Sequence, residues 1–485
     1  MRFIHSFPGQ VTQKLSQAET MFQDIRAQQE AQGLDPWAPF TNEEEWGLVK
    51  WLVSCVGHTA IDEFLKLPII TIDKLPRATK WELKKINMVG NRTANDGQRE
   101  TEDLELWLCN PVDCICEFMS NPEFDQGVSY VPERVFADEE GKTQVFDEMW
   151  TGDCPFSQHR LPKGAVVAPV ILASDKTSLL QFRGDQEVWP VYLTLGNISK
   201  DIQPILIAYL LISKLECFTR NIHSGVEVTC PDHQVQRLYP IVAAYIANFP
   251  EQCLVACCME NRHDNRGDMR ESAPRRQDTT MANLWLHSEG EMSSDQFESE
   301  LGLQAIYSPF WAALPHNDIF LCMTPDILHQ LHKGVFKDHL VSWCSKIISK
   351  DELNAHFKAM SSYARLRHFK KGISKRKQWM GADYRELECV FLCVIAGAVD
   401  NRVLASYQSH TEESLSCMQA TLELFHANKN IFVEHGVQEH FNIPKIHSMV
   451  HYVNSICLFG SADGFNTELP EHLHIDFAIS CFQLP

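Results

Sequence analysis

Three closely spaced apolar runs between residues 166 and 212 constrain this chain more than any other feature. The first, VVAPVILA at 166–173, is nearly unbroken and ends in Ser174-Asp175-Lys176. A second β-rich run covers 189–195 and a third covers 205–212. Apolar runs of this length, bounded by Gly, Asp and Ser, predict buried strands. Short connections between them suit an antiparallel meander, and a fourth strand is expected over 237–247, running into Asn248. Asp175 then stands at the edge of the first strand, where a carboxylate needs a partner or a metal to be tolerated.

At 485 residues the chain can bury a large core and is expected to form two or three domains. No stretch approaches the ~18 apolar residues of a membrane-spanning helix, and the N-terminus lacks the apolar region of a signal peptide. Seventeen cysteines in such a chain read as reduced thiols of the nucleus or cytoplasm, not of a secreted protein. Neither Cys114/Cys116 nor Cys253/Cys257/Cys258 has the spacing of a structural zinc site. The net charge of −20 opposes approach to DNA, so any phosphate contact must be local. The strongest basic cluster is RLRHFKKGISKRK at 365–377, with Arg365, Arg367, Lys370, Lys371, Lys375, Arg376 and Lys377. It reads either as a solvated loop or helix end, or as a DNA-backbone contact or nuclear-import patch.

Residues 10–116 have mainly helix-forming composition, including a Thr41-Asn-Glu-Glu-Glu helix start. Residues 260–300 turn polar with little periodicity and predict a flexible surface insertion. From Pro309 the pattern is helical again. Thr324-Pro325-Asp326 predicts a helix start with Thr324 as cap and Pro325 as first helical residue, which places Asp326 and His329 on one helical face. By themselves these two read as a first-turn dipole partner and an ordinary histidine. His447 and His451 have an i, i+4 spacing compatible with a metal, but no third ligand is evident.

Particular words of this sequence resemble a known family. They are ASDKT (173–177), WPVY (189–192), GNISKD (196–201), FPEQ (249–252), DILHQLHKG (326–334), HFKKGISK (368–375), FNIPK (441–445) and SADGFNTE (461–468). In this order they resemble the Plavaka-type DDE transposases of fungi, relatives of the CACTA transposases, over residues 7–477. The resemblance implies an α+β (mixed) fold: an RNase H-like catalytic core with a helical N-terminal region and a helical insertion. The corresponding boundaries are a helical region at 1–130, the first part of the core at 131–260 and the flexible insertion at 261–305. A helical insertion domain at 306–435 and the rest of the core at 436–485 follow.

The resemblance also implies DNA strand cleavage and transfer with two Mg²⁺ or Mn²⁺ ions, DNA transposon ends as partner, possible homo-oligomers and no membrane. Asp175 matches the first acidic residue. Asn248 occupies the position of the expected second Asp. The third acid is Glu471 or Glu468, with Glu471 preferred because it precedes an amphipathic helix start after Pro470. Asp175 and Glu471 are then the expected metal ligands, and Asp326 and His329 match the family's D-x-x-H pair. Two-metal chemistry depends on carboxylates bridging ions ~3.5–4 Å apart, and a neutral asparagine cannot bridge them. This copy is therefore expected to be catalytically defective. The alternatives are an active enzyme with a substituted carboxylate, for which Asp232 and Glu251 are the nearby candidates, or a non-catalytic DNA-binding or domesticated remnant. The family's Cys-x-x-Cys knuckle is replaced by NRHDNRGD at 261–268. In the place of the family's crossover helix the chain offers only FTRNIHSG at 218–225, too short for such a helix, which predicts a partly open sheet face and a tendency to aggregate.

Overall fold

The first apolar run forms the strand Val166–Ser174 (β1) in the middle of a sheet. Val191–Leu195 (β2) pairs with it antiparallel, from Val191 opposite Ser174 to Leu195 opposite Val170. Leu210–Ile212 (β3) pairs antiparallel with β2. On the other side of β1, Val226–Thr229 (β4) and Gln234–Ile246 (β5) form a hairpin, and β5 runs parallel to β1. The spatial order is thus β3-β2-β1-β5-β4, with the short strand Ser16–Gln17 also pairing with β5. In this computed structural model the described residues are 2–6, 12–38, 40, 42–47, 82–93, 99–153, 161–178, 187–202, 210–212, 224–260, 275–314, 316–348, 350–360, 369–374, 381–394, 410–441 and 443–467.

The hairpin between β4 and β5 is closed by Cys230-Pro231-Asp232-His233. The His233 N–H donates to the Cys230 carbonyl at 2.9 Å, and the Gln234 N–H donates to the Asp232 side chain at 3.1 Å. Proline fixes the first turn, and His233 adopts a positive φ of 61°.

The parallel pairing of β1 and β5 carries a bulge. The register runs from Leu238 opposite Val166 to Val242 opposite Val170, then skips Ala243 so that Ala244 faces Ile171 and Ile246 faces Ala173. Continued two residues further, this register sets Asn248 opposite Asp175. Without the extra residue Ala247 would stand there, so the bulge re-aims the strand end.

Successive strand residues point to opposite faces, and Val170, Ile171, Leu172 and Ala173 are all buried. Both faces of β1 are therefore covered. Helix Pro111–Ser120 packs on β2 and β4 with Ile115, Phe118 and Met119 fully buried. Each such side chain contributes about 1.5–3 kcal/mol by leaving water. Helix Ile319–Cys322 packs on β5. The crossover between β3 and β5 falls in 213–223, outside the described residues, so the expected absence of a helix there lies outside them too.

Two further expectations need correction. Residues 1–130 contain helices Met21–Ala31 and Pro111–Ser120, but also the antiparallel ribbon Glu82–Thr93 with Arg99–Leu108. Phe3–Ser6 joins a separate sheet with Glu133–Phe136, Gln144–Phe146 and His410–Thr411. Cross-strand pairing in the ribbon overrides the helix-forming lysines and glutamates of its sequence. The polar stretch at 261–305 likewise holds helix Gln277–Ser288, with Leu284 and, beyond it, Phe297 buried in the main core. A few large apolar residues anchor a segment whose average composition is polar.

The described residues between 306 and 435 are mainly helical. Ile327–Val341 winds as a π-helix and continues as Ser342–Ile347. Phe336, Leu353, Phe357, Phe369, Leu387 and Phe391 form a second apolar cluster on it.

Candidate active site

Asp175 follows β1 and Asn248 follows β5, so the two parallel strands deliver them to the same sheet end. Asn248 caps helix Phe249–Val255 with Pro250 in its first turn: its Oδ1 accepts the Glu251 N–H at 3.1 Å. This bond assigns the amide, because an oxygen must face the N–H. Asn248 Nδ2 is consequently the atom that faces Asp175, donating to Oδ1 at 2.8 Å. A direct hydrogen bond thus joins the positions where the resemblance implies two cation-bridging carboxylates.

Glu251 lies one helical turn from Asn248 and is 4% exposed. Its Oε1 accepts from the Ser174 hydroxyl and, at 2.5 Å, from the Trp189 indole N–H, while Ser174 Oγ lies 2.8 Å from the Tyr245 hydroxyl. Oε2 is buried without a hydrogen-bond partner. Burial, reinforced by the Asp175 charge, pushes the Glu251 carboxyl above its ordinary range despite those donors. Lys176 stands 5.8 Å from the Trp189 ring centroid. Ser174, Tyr245 and Glu251 therefore form a buried polar cluster next to Asp175, with the half-exposed Trp189 bonded to it from outside. Of these Glu251 is a candidate from sequence; Ser174 lies in the ASDKT word and Trp189 in the WPVY word, while Tyr245 lies in none of them.

These residues do not fit a two-cation centre. An amide nitrogen has no lone pair to offer a cation, and here it already occupies one oxygen of Asp175. Among the described residues, no group of three or more His, Cys, Asp or Glu side chains could hold a metal, and that includes His447 and His451. Glu468 and Glu471 lie outside the described residues. The knuckle position at 261–268 lies outside them as well.

Asp326 and His329 meet as a bonded pair, although the cap differs from the expected one. Asp326, not Thr324, is the N-cap: its carboxylate accepts the Leu328 N–H at 3.3 Å and the His329 N–H at 2.7 Å. A carboxylate is the stronger acceptor, and Met323 is held extended by a bridge to Tyr245 at the end of β5. His329 Nδ1 lies 2.8 Å from Asp326 Oδ2. Thr467 donates its N–H to Oδ1 at 3.0 Å and its hydroxyl to Oδ2 at 2.9 Å. Asp326 is fully buried, which alone would raise its carboxyl, yet His329 and the surrounding N–H donors hold it below the ordinary range. Thr467 was not apparent from sequence; its place directly before Glu468 is the only hint.

Of the basic cluster, Lys370 and Lys371 are described and exposed. They project from a turn pinned by buried Phe369 and Ile373, with Gly372 at φ 73° and Asn354 Oδ1 accepting the Ile373 and Ser374 N–H groups. Arg365, Arg367, Lys375, Arg376 and Lys377 lie outside the described residues. No helix among the described residues is long and apolar enough to cross a membrane.

No curated protein matches the chain. The family model described as Plavaka transposase matches residues 69–224 and 219–344, which together span strands β1 to β5, Asp175, Asn248 and the Asp326–His329 pair. That match extends over more than half of the chain, and the chain belongs to the Plavaka transposase family.

Proposed function

We propose that this is a transposase-derived protein built on an RNase H-like core, whose DNA strand cleavage is disabled at Asn248. The single observation that carries the reading is the hydrogen bond from Asn248 Nδ2 to Asp175 Oδ1 at adjacent parallel strand ends. The antiparallel run β3-β2-β1 with β5 parallel to β1 supports the core assignment. In an ancestral DDE site, an aspartate at 248 would join Asp175 and Glu471 or Glu468 in holding Mg²⁺ or Mn²⁺. Here the amide replaces that carboxylate, and no cleavage step follows from the residues present. DNA is the proposed partner, approached locally through Lys370, Lys371 and their basic neighbours, in the nucleus; oligomers on paired ends belong to the same reading.

The test is Mn²⁺-dependent nicking of DNA carrying the element's terminal repeats, comparing the unsubstituted chain with Asn248→Asp. Activity only in Asn248→Asp is the expected result, and activity in both would overturn the assignment of a disabled enzyme. The same variant is expected to melt lower than the parent in chelator, because like charges replace a hydrogen bond. It should recover as Mn²⁺ is added, since a ligand bound only by the native state stabilises it.

A second reading, an active enzyme with Glu251 as substitute carboxylate, is favoured only by the unpartnered buried Oε2. It requires nicking by the unsubstituted chain that Glu251→Gln abolishes.

A further inference from the structure

We propose that Asp326 and His329 are positioning residues: together they clamp Thr467 and so fix the residue that directly precedes Glu468 in the chain. Only the catalytic value of the acidic residues that follow rests on the transposase reading. A helix N-cap needs one acceptor for the first free N–H groups, and Leu328 and His329 already supply those to Asp326. The additional donors come from a residue 141 positions further on, which brings both its backbone N–H and its hydroxyl. His329 Nδ1 completes the triangle, 2.8 Å from Asp326 Oδ2 and 3.0 Å from Thr467 Oγ1. Tyr452, also buried, donates its hydroxyl to the Asp326 carbonyl at 2.9 Å and holds the cap from a third element. Both Asp326 and Thr467 are buried, so these charge-assisted bonds form away from competing water.

The other end of the clamp reaches the Asp175–Asn248 side. Gln252, one turn beyond Asn248, donates its side-chain N–H to the Thr324 carbonyl at 2.8 Å, and Met323 bridges to Tyr245 of β5. Residues 323–326 therefore connect the end of β5 to Thr467. Glu468 and Glu471 follow Thr467 in the chain by one and four residues. A fixed Thr467 thus limits where either carboxylate can be delivered.

The test reads amide hydrogen exchange at residue 467 in the full chain. The unsubstituted protein is expected to protect this amide, and Asp326→Asn, whose amide cannot accept from every donor, to speed its exchange about tenfold or more. Thr467→Val, which loses the hydroxyl, should speed it in the same direction, and Thr467→Ser should restore protection, while β1 and β5 amides stay unchanged in all three. Exchange at residue 467 as fast as in an unstructured peptide, or equal rates for Thr467→Ser and Thr467→Val, would overturn the proposal. If Asp326→Asn fails to fold, the threonine pair decides. Nicking by Asn248→Asp bears on the transposase reading alone, because exchange is read without any cleavage.

Discussion

At the scale of single residues, one amide ties the two parallel strand ends together. Asparagine at 248 satisfies two demands at once: its oxygen caps a helix and its nitrogen donates a hydrogen bond to Asp175. An aspartate could serve the cap equally well but would bring two charges together, a conflict that a cation resolves. Glu251 beneath them is the residue whose protonation should be visible in stability. Its carboxyl is raised above the ordinary 4.5, so the stability tied to its protonated form is fully present below pH 4.5 and lost as pH rises through the raised folded value. Glu251→Gln, which carries no charge at any pH, should therefore gain on the parent as pH increases from about 4 to about 8. Melting temperatures of both proteins across that range check this; a difference that does not vary with pH would rule it out.

Elements are set by places where the backbone leaves the ordinary regions. The bulge at Ala243 shifts the pairing of β5 on β1 by one residue and brings Asn248, rather than Ala247, opposite Asp175. Gly460 ends helix Tyr452–Phe459 at φ 80° and ψ −166°, a combination essentially confined to glycine. A Cβ there would stand 2.4 Å from the Glu148 carbonyl oxygen. Both the strain and the clash oppose substitution, so Gly460→Ala is expected to cost about 3 kcal/mol or more. Chemical denaturation measures this, and a loss below about 1 kcal/mol would mean that the helix end relaxes freely.

Across the whole molecule, a buried charge cluster joins segments distant in sequence. Lys200, in the GNISKD word after β2, reaches Asp147 at 2.8 Å, Ser461 at 2.7 Å and Asp463 at 3.3 Å. Ser461 in turn donates its hydroxyl to the Asp147 carbonyl at 2.7 Å. Two of the family words are thus tied through one ammonium group. Lys200 is 11% exposed and Asp147 7%, so removing the cation leaves a carboxylate poorly solvated, with the exposed Arg2 as its other ion-pair partner among the described residues. Lys200→Met is expected to cost about 3 kcal/mol, the lower end for breaking a buried pair. A lowered urea midpoint checks it, and an unchanged midpoint would show that Arg2 and water compensate.

The sequence by itself determined the local pieces and their kinship. Runs of apolar residues fixed β1, β2 and β5 to within a few residues, because a buried strand must be apolar and must stop at polar punctuation. The ordered words placed Asp175, Asn248 and the Asp326–His329 pair at sites worth reading. Tertiary structure decided the rest. The ribbon at 82–108 is paired strand despite a helix-forming composition, because cross-strand partners outweigh local propensity. Leu284 and Phe297 anchor a stretch whose polar average predicted mobility, because burial is decided residue by residue. The register bulge, the choice of Asp326 over Thr324 as cap, and the clamp on Thr467 all depend on partners far away in the chain. No spacing along the sequence can specify such contacts, since they exist only once the strands and helices have packed.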